Sequence, residues 1–170
     1  GLEYLPYSPV SENKADQIFS KVLAGEIINR EESDQLSTTI LLFLSTKYYE
    51  VQWAQQFHVG ALRNNNIRMQ KKLGADTGFD SIGDFPQAKT MANFLSDLDN
   101  RQVLGKTILY NLNPADNEVF ATMLGNFNDG TFPGKIQLGS AWWFLDQKDG
   151  MEKQLNALSN MGLLSRFVGM

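Results

Sequence analysis

The sequence has 170 residues, 42% of them hydrophobic, and a net charge of −4, which suits a single acidic domain with a core of its own. Because it contains no cysteine and one histidine, His58, it argues against disulfide scaffolds, thiol catalysis and zinc sites built from several cysteines or histidines. The acidic charge argues against nucleic acid as a partner, and the longest apolar run, the five residues 40–44, is far short of the roughly 20 that span a membrane.

The first half of the chain predicts three helices and one strand. Hydrophobic residues recur at helical spacing over 11–24 and 32–50, and a strand follows over 54–60. Residues 63–84 form a polar stretch rich in Asn, Gly and Asp, for which no element is predicted. A third helix is expected from about 84–86 onward, with Met91, Leu95 and Leu98 on one face.

The second half alternates strands and helices more regularly. It predicts strands over 107–112, 135–139 and 166–170, with helices over 113–125 and 147–161 between them. These strands begin 28 and 31 residues apart, close to the roughly 30 residues of one βαβ unit. An α/β fold with a parallel sheet is therefore predicted. Four strands, or five if residues 2–5 contribute one, are too few for a closed barrel, so the sheet is either small and open or part of a barrel.

Ligands of parallel α/β folds bind at the carboxyl ends of the strands, and His58 lies at such an end. A glycine two residues later, Gly60, allows backbone or ligand to approach closely. The alternative for a lone strand histidine is a hydrogen-bonded, half-buried side chain without a functional role, and the residues alone leave both open.

Arg63 follows five residues after His58 and is followed by three asparagines. The planar guanidinium suits bidentate binding of a carboxylate, so Arg63 is a candidate for an anionic ligand. The alternative is an ion pair with Asp76, Asp80 or Asp84 in the segment that follows.

Trp142, Trp143 and Phe144 follow the strand over 135–139. Aromatic faces of this kind pack against sugars or line a pocket, although one of the two indoles is expected simply to fill the end of the sheet. Together these strand-end residues favour a polar, anionic small molecule and do not specify a reaction.

Five segments carry a resemblance to a known family: residues 58–66 (HVGALRNNN), 74–84 (GADTGFDSIGD), 106–114 (KTILYNLNP), 139–151 (GSAWWFLDQKDGM) and 162–170 (GLLSRFVGM). In this order they resemble uronate (glucuronate) isomerase, of the amidohydrolase superfamily. The resemblance runs over nearly the whole chain, whereas the family's own chain is more than twice as long. The start without Met and the apolar end also favour an internal fragment of a longer protein.

The resemblance implies a partial TIM (β/α)8 barrel, roughly strands 5 to 8 with their helices. Residues 1–170 would form one incomplete barrel segment, with a helical lead-in over 1–53 and βα units over 54–170. By position, His58 matches a fifth-strand histidine and is the candidate catalytic residue. Arg63 matches a substrate-holding arginine, and Trp142 matches a tryptophan of the active-site loop.

The family interconverts D-glucuronate and D-fructuronate by proton transfer between C1 and C2, in the bacterial cytoplasm. The implied cofactor is a divalent metal, expected to be zinc, whose main ligands lie outside this chain; no metal ligand is assigned here. The implied partner is a small sugar acid, with no nucleic acid and no membrane, and open barrel edges suggest a homo-oligomer. We expect the fragment alone to be inactive. The alternatives are a metal-dependent hydrolase of the same superfamily and a non-catalytic binding or assembly module.

Overall fold

The computed structural model describes residues 1–131 and 133–168, which form an α/β fold with a parallel sheet. The helices are α1 (Glu12–Leu23), α2 (Arg30–Glu50), α3 (Ile67–Leu73), α4 (Ala88–Asn100), α5 (Asn117–Gly125) and α6 (Lys148–Met161). The strands are β1 (Gln55–Val59), β2 (Ala61–Leu62), β3 (Ser81–Ile82), β4 (Thr107–Asn111), β5 (Ile136–Gly139) and β6 (Phe167–Val168). Short 3-10 turns precede α5, α6 and β6, over Pro114–Asp116, Trp143–Leu145 and Leu164–Arg166.

Capping side chains fix where the first two helices begin. The Ser11 hydroxyl accepts a hydrogen bond from the Lys14 amide at 3.3 Å and so caps the start of α1. At α2, Asn29 and Glu32 form a reciprocal capping box. This box starts α2 at Arg30, two residues earlier than the hydrophobic periodicity indicates, because capping depends on polar side chains outside the periodic pattern.

The main sheet has the order β1-β4-β5-β6, and all its pairs are parallel. The strands expected near 54, 107 and 135 are confirmed within about two residues of their predicted limits. The last one begins at Phe167, because the residues before it form a 3-10 turn, and residues 169–170 of the prediction lie outside the described part. A single parallel bridge joins Leu2 to Val59, so residues 2–5 contribute a bridge and not a full strand.

Helices α2, α4, α5 and α6 contribute to one hydrophobic core with the alternate residues of β1, β4 and β5. The predicted apolar face of α4 is confirmed, since Met91, Leu95 and Leu98 are all buried. The core residues of the strands are Phe57, Val59, Leu109, Ile136 and Leu138. The residues between them point to the other face of the sheet, because side chains alternate along a strand.

The segment 63–84, for which the sequence predicts no element, contains α3 and a two-stranded ribbon. The short strands β2 and β3 pair antiparallel, and Asn66 caps α3 by accepting from the Met69 amide at 3.1 Å. Gly60 has a φ of +98° and turns the chain from β1 into this ribbon. A ribbon of two-residue strands has no periodicity to detect, so it is not visible in the sequence.

None of the helices in the described ranges is long and apolar enough to cross a membrane.

Candidate functional site

His58 lies near the carboxyl end of β1, on the face of the sheet that the core helices do not cover. Its imidazole is stacked on the Tyr110 ring of β4, with ring centres 4.0 Å apart and planes 5° apart. The Trp142 ring, from the loop after β5, lies nearly perpendicular to the imidazole, with ring centres 4.8 Å apart and planes at 84°. The side chain is therefore half-buried and packed against two aromatic rings.

Burial lowers the pKa of His58 below its ordinary 6.5. The imidazole is therefore neutral around neutral pH. A neutral imidazole carries one N–H donor and one acceptor nitrogen, so it is able to accept a proton or to donate a hydrogen bond to a ligand.

Arg63 extends from the end of β2 and is held by carboxylates of the following loop. Its Nη2 contacts Asp76 Oδ1, and its Nε lies 3.7 Å from Asp80 Oδ2. The guanidinium also lies over the Trp143 ring, 5.4 Å from its centre. Two of the three aspartates considered from the sequence are therefore its partners in the absence of a ligand. Asp76 is 68% exposed, whereas Asp80 is 7% exposed, so a ligand carboxylate would replace Asp76 more readily than Asp80.

The three asparagines after Arg63 serve the loop itself. The Asn64 side-chain oxygen accepts from the Asp76 backbone amide at 3.2 Å, and the Asn64 backbone amide donates to the Asp80 carboxylate at 2.7 Å. Asn65 donates to the Leu62 carbonyl, and Asn66 caps α3. Their density in the sequence reflects the folding of this loop more than a cluster of donors for a ligand.

The aromatic residues after β5 form a continuous series of rings. Trp142 and Trp143 are 5.6 Å apart, and Trp143 is stacked on Phe144 at 4.7 Å. The Trp142 indole nitrogen is buried and has no hydrogen-bond partner among the described residues. A buried donor left without a partner costs free energy, so a ligand oxygen at this position would be favourable.

The three candidate residues therefore belong to one group of contacts. His58 meets Trp142, Trp142 meets Trp143, and Trp143 meets Arg63. The sequence does not single out Tyr110, because this residue lies within a strand and contacts His58 only when β4 pairs with β1. Nor does the sequence indicate Trp143 as the partner of Arg63, because the aromatic run gives no sign of which ring faces which neighbour.

A cavity of about 840 Å³ opens next to this group, along the outer edge of β1. Its wall includes His58 and Trp142 together with residues of β1 and α2. The described residues contain no group of three His, Cys, Asp or Glu side chains that could hold a metal ion. The residues present do not by themselves make the metal site that the resemblance implies.

Comparison with known families assigns the chain. The family model described as glucuronate isomerase matches residues 1–170. The chain belongs to the glucuronate isomerase family. The resemblance that the five sequence segments indicate is therefore confirmed.

Individual members of the family are similar over the whole chain. A uronate isomerase of Flavobacterium johnsoniae is 59% identical over 170 residues, which cover 100% of this chain and 36% of the relative. A uronate isomerase of Bacteroides fragilis is 57% identical with the same coverage. The chain thus spans about 36% of the length of the relatives it matches.

Solved structures support the same relation. The crystal structure of a uronate isomerase from Thermotoga maritima superposes with a TM-score of 0.88 at 29% identity, covering 99% of this chain and 36% of that one. A glucuronate isomerase from Caulobacter crescentus superposes with a TM-score of 0.85 at 21% identity, covering 99% of this chain and 34% of that one. The latter is similar in fold.

Proposed function

We propose that the full-length protein interconverts D-glucuronate, or a related uronate, with its keto form by proton transfer between C1 and C2. We further propose that this chain supplies the part of its site that holds the sugar acid. The observation that carries the proposal is the group of contacts that links His58, Trp142, Trp143 and Arg63 at the carboxyl ends of two parallel strands. Membership of the glucuronate isomerase family supports the proposed reaction.

We also propose that the fold is the part of a (β/α)8 barrel that contains strands 5 to 8. The strand order β1-β4-β5-β6 follows the order of the chain without a reversal, and the core helices cover one face of the sheet. A doubly wound sheet reverses its strand order and has helices on both faces, whereas a barrel has helices on the outside alone. His58 and Tyr110 would then face the barrel interior, with the predicted helical lead-in over 1–53 ahead of the βα units over 54–170.

Within this site, Arg63 would bind the substrate carboxylate. Its guanidinium already donates to the Asp76 carboxylate and lies beside that of Asp80, and a planar fork binds a carboxylate bidentately. The substrate would displace Asp76, which is exposed, and Asp80 would continue to orient the side chain.

His58 would act as the catalytic residue of this chain by hydrogen bonding to the reacting part of the sugar. Its lowered pKa keeps the imidazole neutral, so that it offers both a donor and an acceptor nitrogen. Trp142 would form the wall of the site and offer its unpartnered indole N–H to a sugar oxygen. The base that removes the proton next to the carbonyl would come from outside this chain.

The family implies a divalent metal, which we expect to be zinc. It would be held mainly by residues outside this chain, because the described residues lack a suitable cluster. We also propose a cytoplasmic location and membership of the amidohydrolase superfamily for the full-length protein, and self-association of the 170-residue chain through its open sheet edges. Neither nucleic acid nor a membrane is expected as a partner.

The proposal is tested with the full-length protein and the 170-residue chain. The full-length protein should convert D-glucuronate to D-fructuronate, measured as the appearance of the ketose. The 170-residue chain alone should not. Failure of the full-length protein to act on any uronate would overturn the proposed function. Cleavage of amides or esters in its place would favour a metal-dependent hydrolase, and no turnover of either class would favour a binding or assembly module.

A further inference from the structure

A row of residues crosses the sheet next to the candidate site. His58 of β1 pairs in register with Tyr110 of β4, and Leu109 pairs with Leu138 of β5, which brings Tyr110 beside Gly139. All three side-chain positions lie on the face that the core helices leave uncovered. The positions of His58, Tyr110 and Gly139 therefore lie side by side in one row.

The Tyr110 ring lies flat against both neighbours in this row. It is stacked on the imidazole with ring centres 4.0 Å apart and planes 5° apart. On the other side, an added Cβ at Gly139 would fall 2.3 Å from two carbon atoms of the Tyr110 ring. No real Cβ comes so close to a carbon atom, so the ring occupies the space that a side chain at Gly139 would need.

Gly139 is required for space and not for backbone conformation. It is absent from the glycines of positive φ, which include Gly60 and Gly134, so an alanine would fit the backbone and clash with the Tyr110 ring. The ring is itself buried, with 3% of its surface exposed. The Trp142 ring also packs against the imidazole, with ring centres 4.8 Å apart.

We propose that Tyr110 is a positioning residue for His58, and that Gly139 provides the space in which the Tyr110 ring seats. The stack fixes the plane of the imidazole and hence the directions in which its two nitrogens hydrogen-bond. Nothing in the proposal requires the Tyr110 hydroxyl to react. The proposal rests on the proposed function, in which His58 contacts the substrate, although its geometric part holds for this chain alone.

The geometric part is tested by nuclear magnetic resonance on the 170-residue chain, in which His58 is the only histidine. A stacked aromatic ring shifts the imidazole proton signals upfield. We expect Tyr110→Phe to keep this shift, and both Tyr110→Leu and Gly139→Ala to move the signals toward those of a free histidine. Tyr49→Leu, at an exposed tyrosine away from the stack, is the matched control and should leave them in place. Unchanged His58 signals in folded Gly139→Ala or Tyr110→Leu would overturn the proposal.

The catalytic part is tested by kinetics of the full-length protein on D-glucuronate. A misplacement of about 1 Å costs up to about 100-fold in rate, so Tyr110→Leu should lower kcat by about 10- to 100-fold with little change in KM. Tyr110→Phe should keep kcat within about threefold of the native value, because it keeps the ring. A residue that only supported the fold would lower the amount of active protein and would not change the His58 signals of the folded remainder.

The two arms separate failure of this proposal from failure of the proposed function. If the native full-length protein does not isomerise a uronate, the proposed function fails and the resonance measurement still decides the geometry. If the native protein is active and Tyr110→Leu retains the native kcat, Tyr110 does not position His58 and the proposal is wrong.

Discussion

The guanidinium carbon of Arg63 lies 5.4 Å from the centre of the Trp143 ring. This cation–π contact joins the segment after β2 to the loop after β5, two parts of the chain that are 80 residues apart. Such contacts contribute about 0.5–1 kcal/mol at exposed sites. Because Trp143 also touches Trp142, which meets His58, the contact joins residues from separate βα units into one group.

Asp76 competes with the substrate for Arg63 in the proposed site. Exposed ion pairs contribute about 0–1 kcal/mol, so in the full-length protein Asp76→Asn should lower the KM for D-glucuronate by up to about fivefold. Asp80→Asn should raise KM, because the Asp80 side chain is only 7% exposed, lies 3.7 Å from Arg63 Nε and accepts from the Asn64 backbone amide at 2.7 Å. A higher KM for Asp76→Asn would show that Asp76 helps to bind the substrate.

The indole N–H of Trp142 lacks a partner among the described residues and should serve the substrate. In the full-length protein, Trp142→Phe keeps a ring beside His58 and removes the donor. One hydrogen bond is worth about 0.5–1.5 kcal/mol, so KM for D-glucuronate should rise about three- to tenfold. Urea unfolding of the same variant controls for lost packing. An unchanged KM would leave Trp142 as a wall of the pocket without a hydrogen bond to the sugar.

His58 should make the stability of this chain depend on pH. Its pKa is lower in the folded state than its ordinary 6.5, so the unfolded chain binds a proton more readily. The contribution of His58 to stability is therefore complete above pH 6.5 and is lost as the pH falls from 6.5 through the folded-state pKa. Urea unfolding at about pH 7.5 and about pH 5.5 should show this loss in the native chain and a smaller one in His58→Gln. Equal losses in both proteins would assign the effect to carboxylates.

The core under the site should be sensitive to Phe94, which is fully buried and meets the Phe57 ring edge-on at 5.7 Å. Truncation to alanine in such a core costs about 3–5 kcal/mol, so Phe94→Ala should lower the free energy of unfolding of the chain by this amount. Phe43→Ala is the matched control, since Phe43 is 60% exposed on α2. Similar losses for both variants would mean that the α4 face does not carry the core.

Much of the fold follows from local patterns in the sequence. The spacing of Met91, Leu95 and Leu98 predicts the buried face of α4, and the regular succession of strands and helices predicts a parallel sheet. The start of α2 depends on the capping side chains Asn29 and Glu32 and is displaced from the periodic pattern for that reason.

The parts that could not be predicted depend on contacts between distant residues. The β2–β3 ribbon forms by pairing Ala61 with Ile82 across a loop in which Asp76 has a positive φ. The stack of His58 on Tyr110 requires β4 to lie next to β1, and no local pattern states this order. The sequence names His58, Arg63, Trp142 and Trp143 as candidates, but it does not show which of them contact one another.

The most direct test of the site is the replacement of Arg63 by lysine in the full-length protein. Lysine keeps the charge and loses the planar fork, and charge-assisted hydrogen bonds are worth about 1.5–3 kcal/mol, so kcat/KM for D-glucuronate should fall about 10- to 100-fold. Arg101→Lys is the matched control, because Arg101, directly after α4, pairs with Asp97 through two hydrogen bonds of 2.7 and 2.8 Å. That control should stay within about twofold of the native value. An Arg63→Lys protein with native kcat/KM would contradict the assignment of Arg63 to the substrate carboxylate, and with it the account of this site.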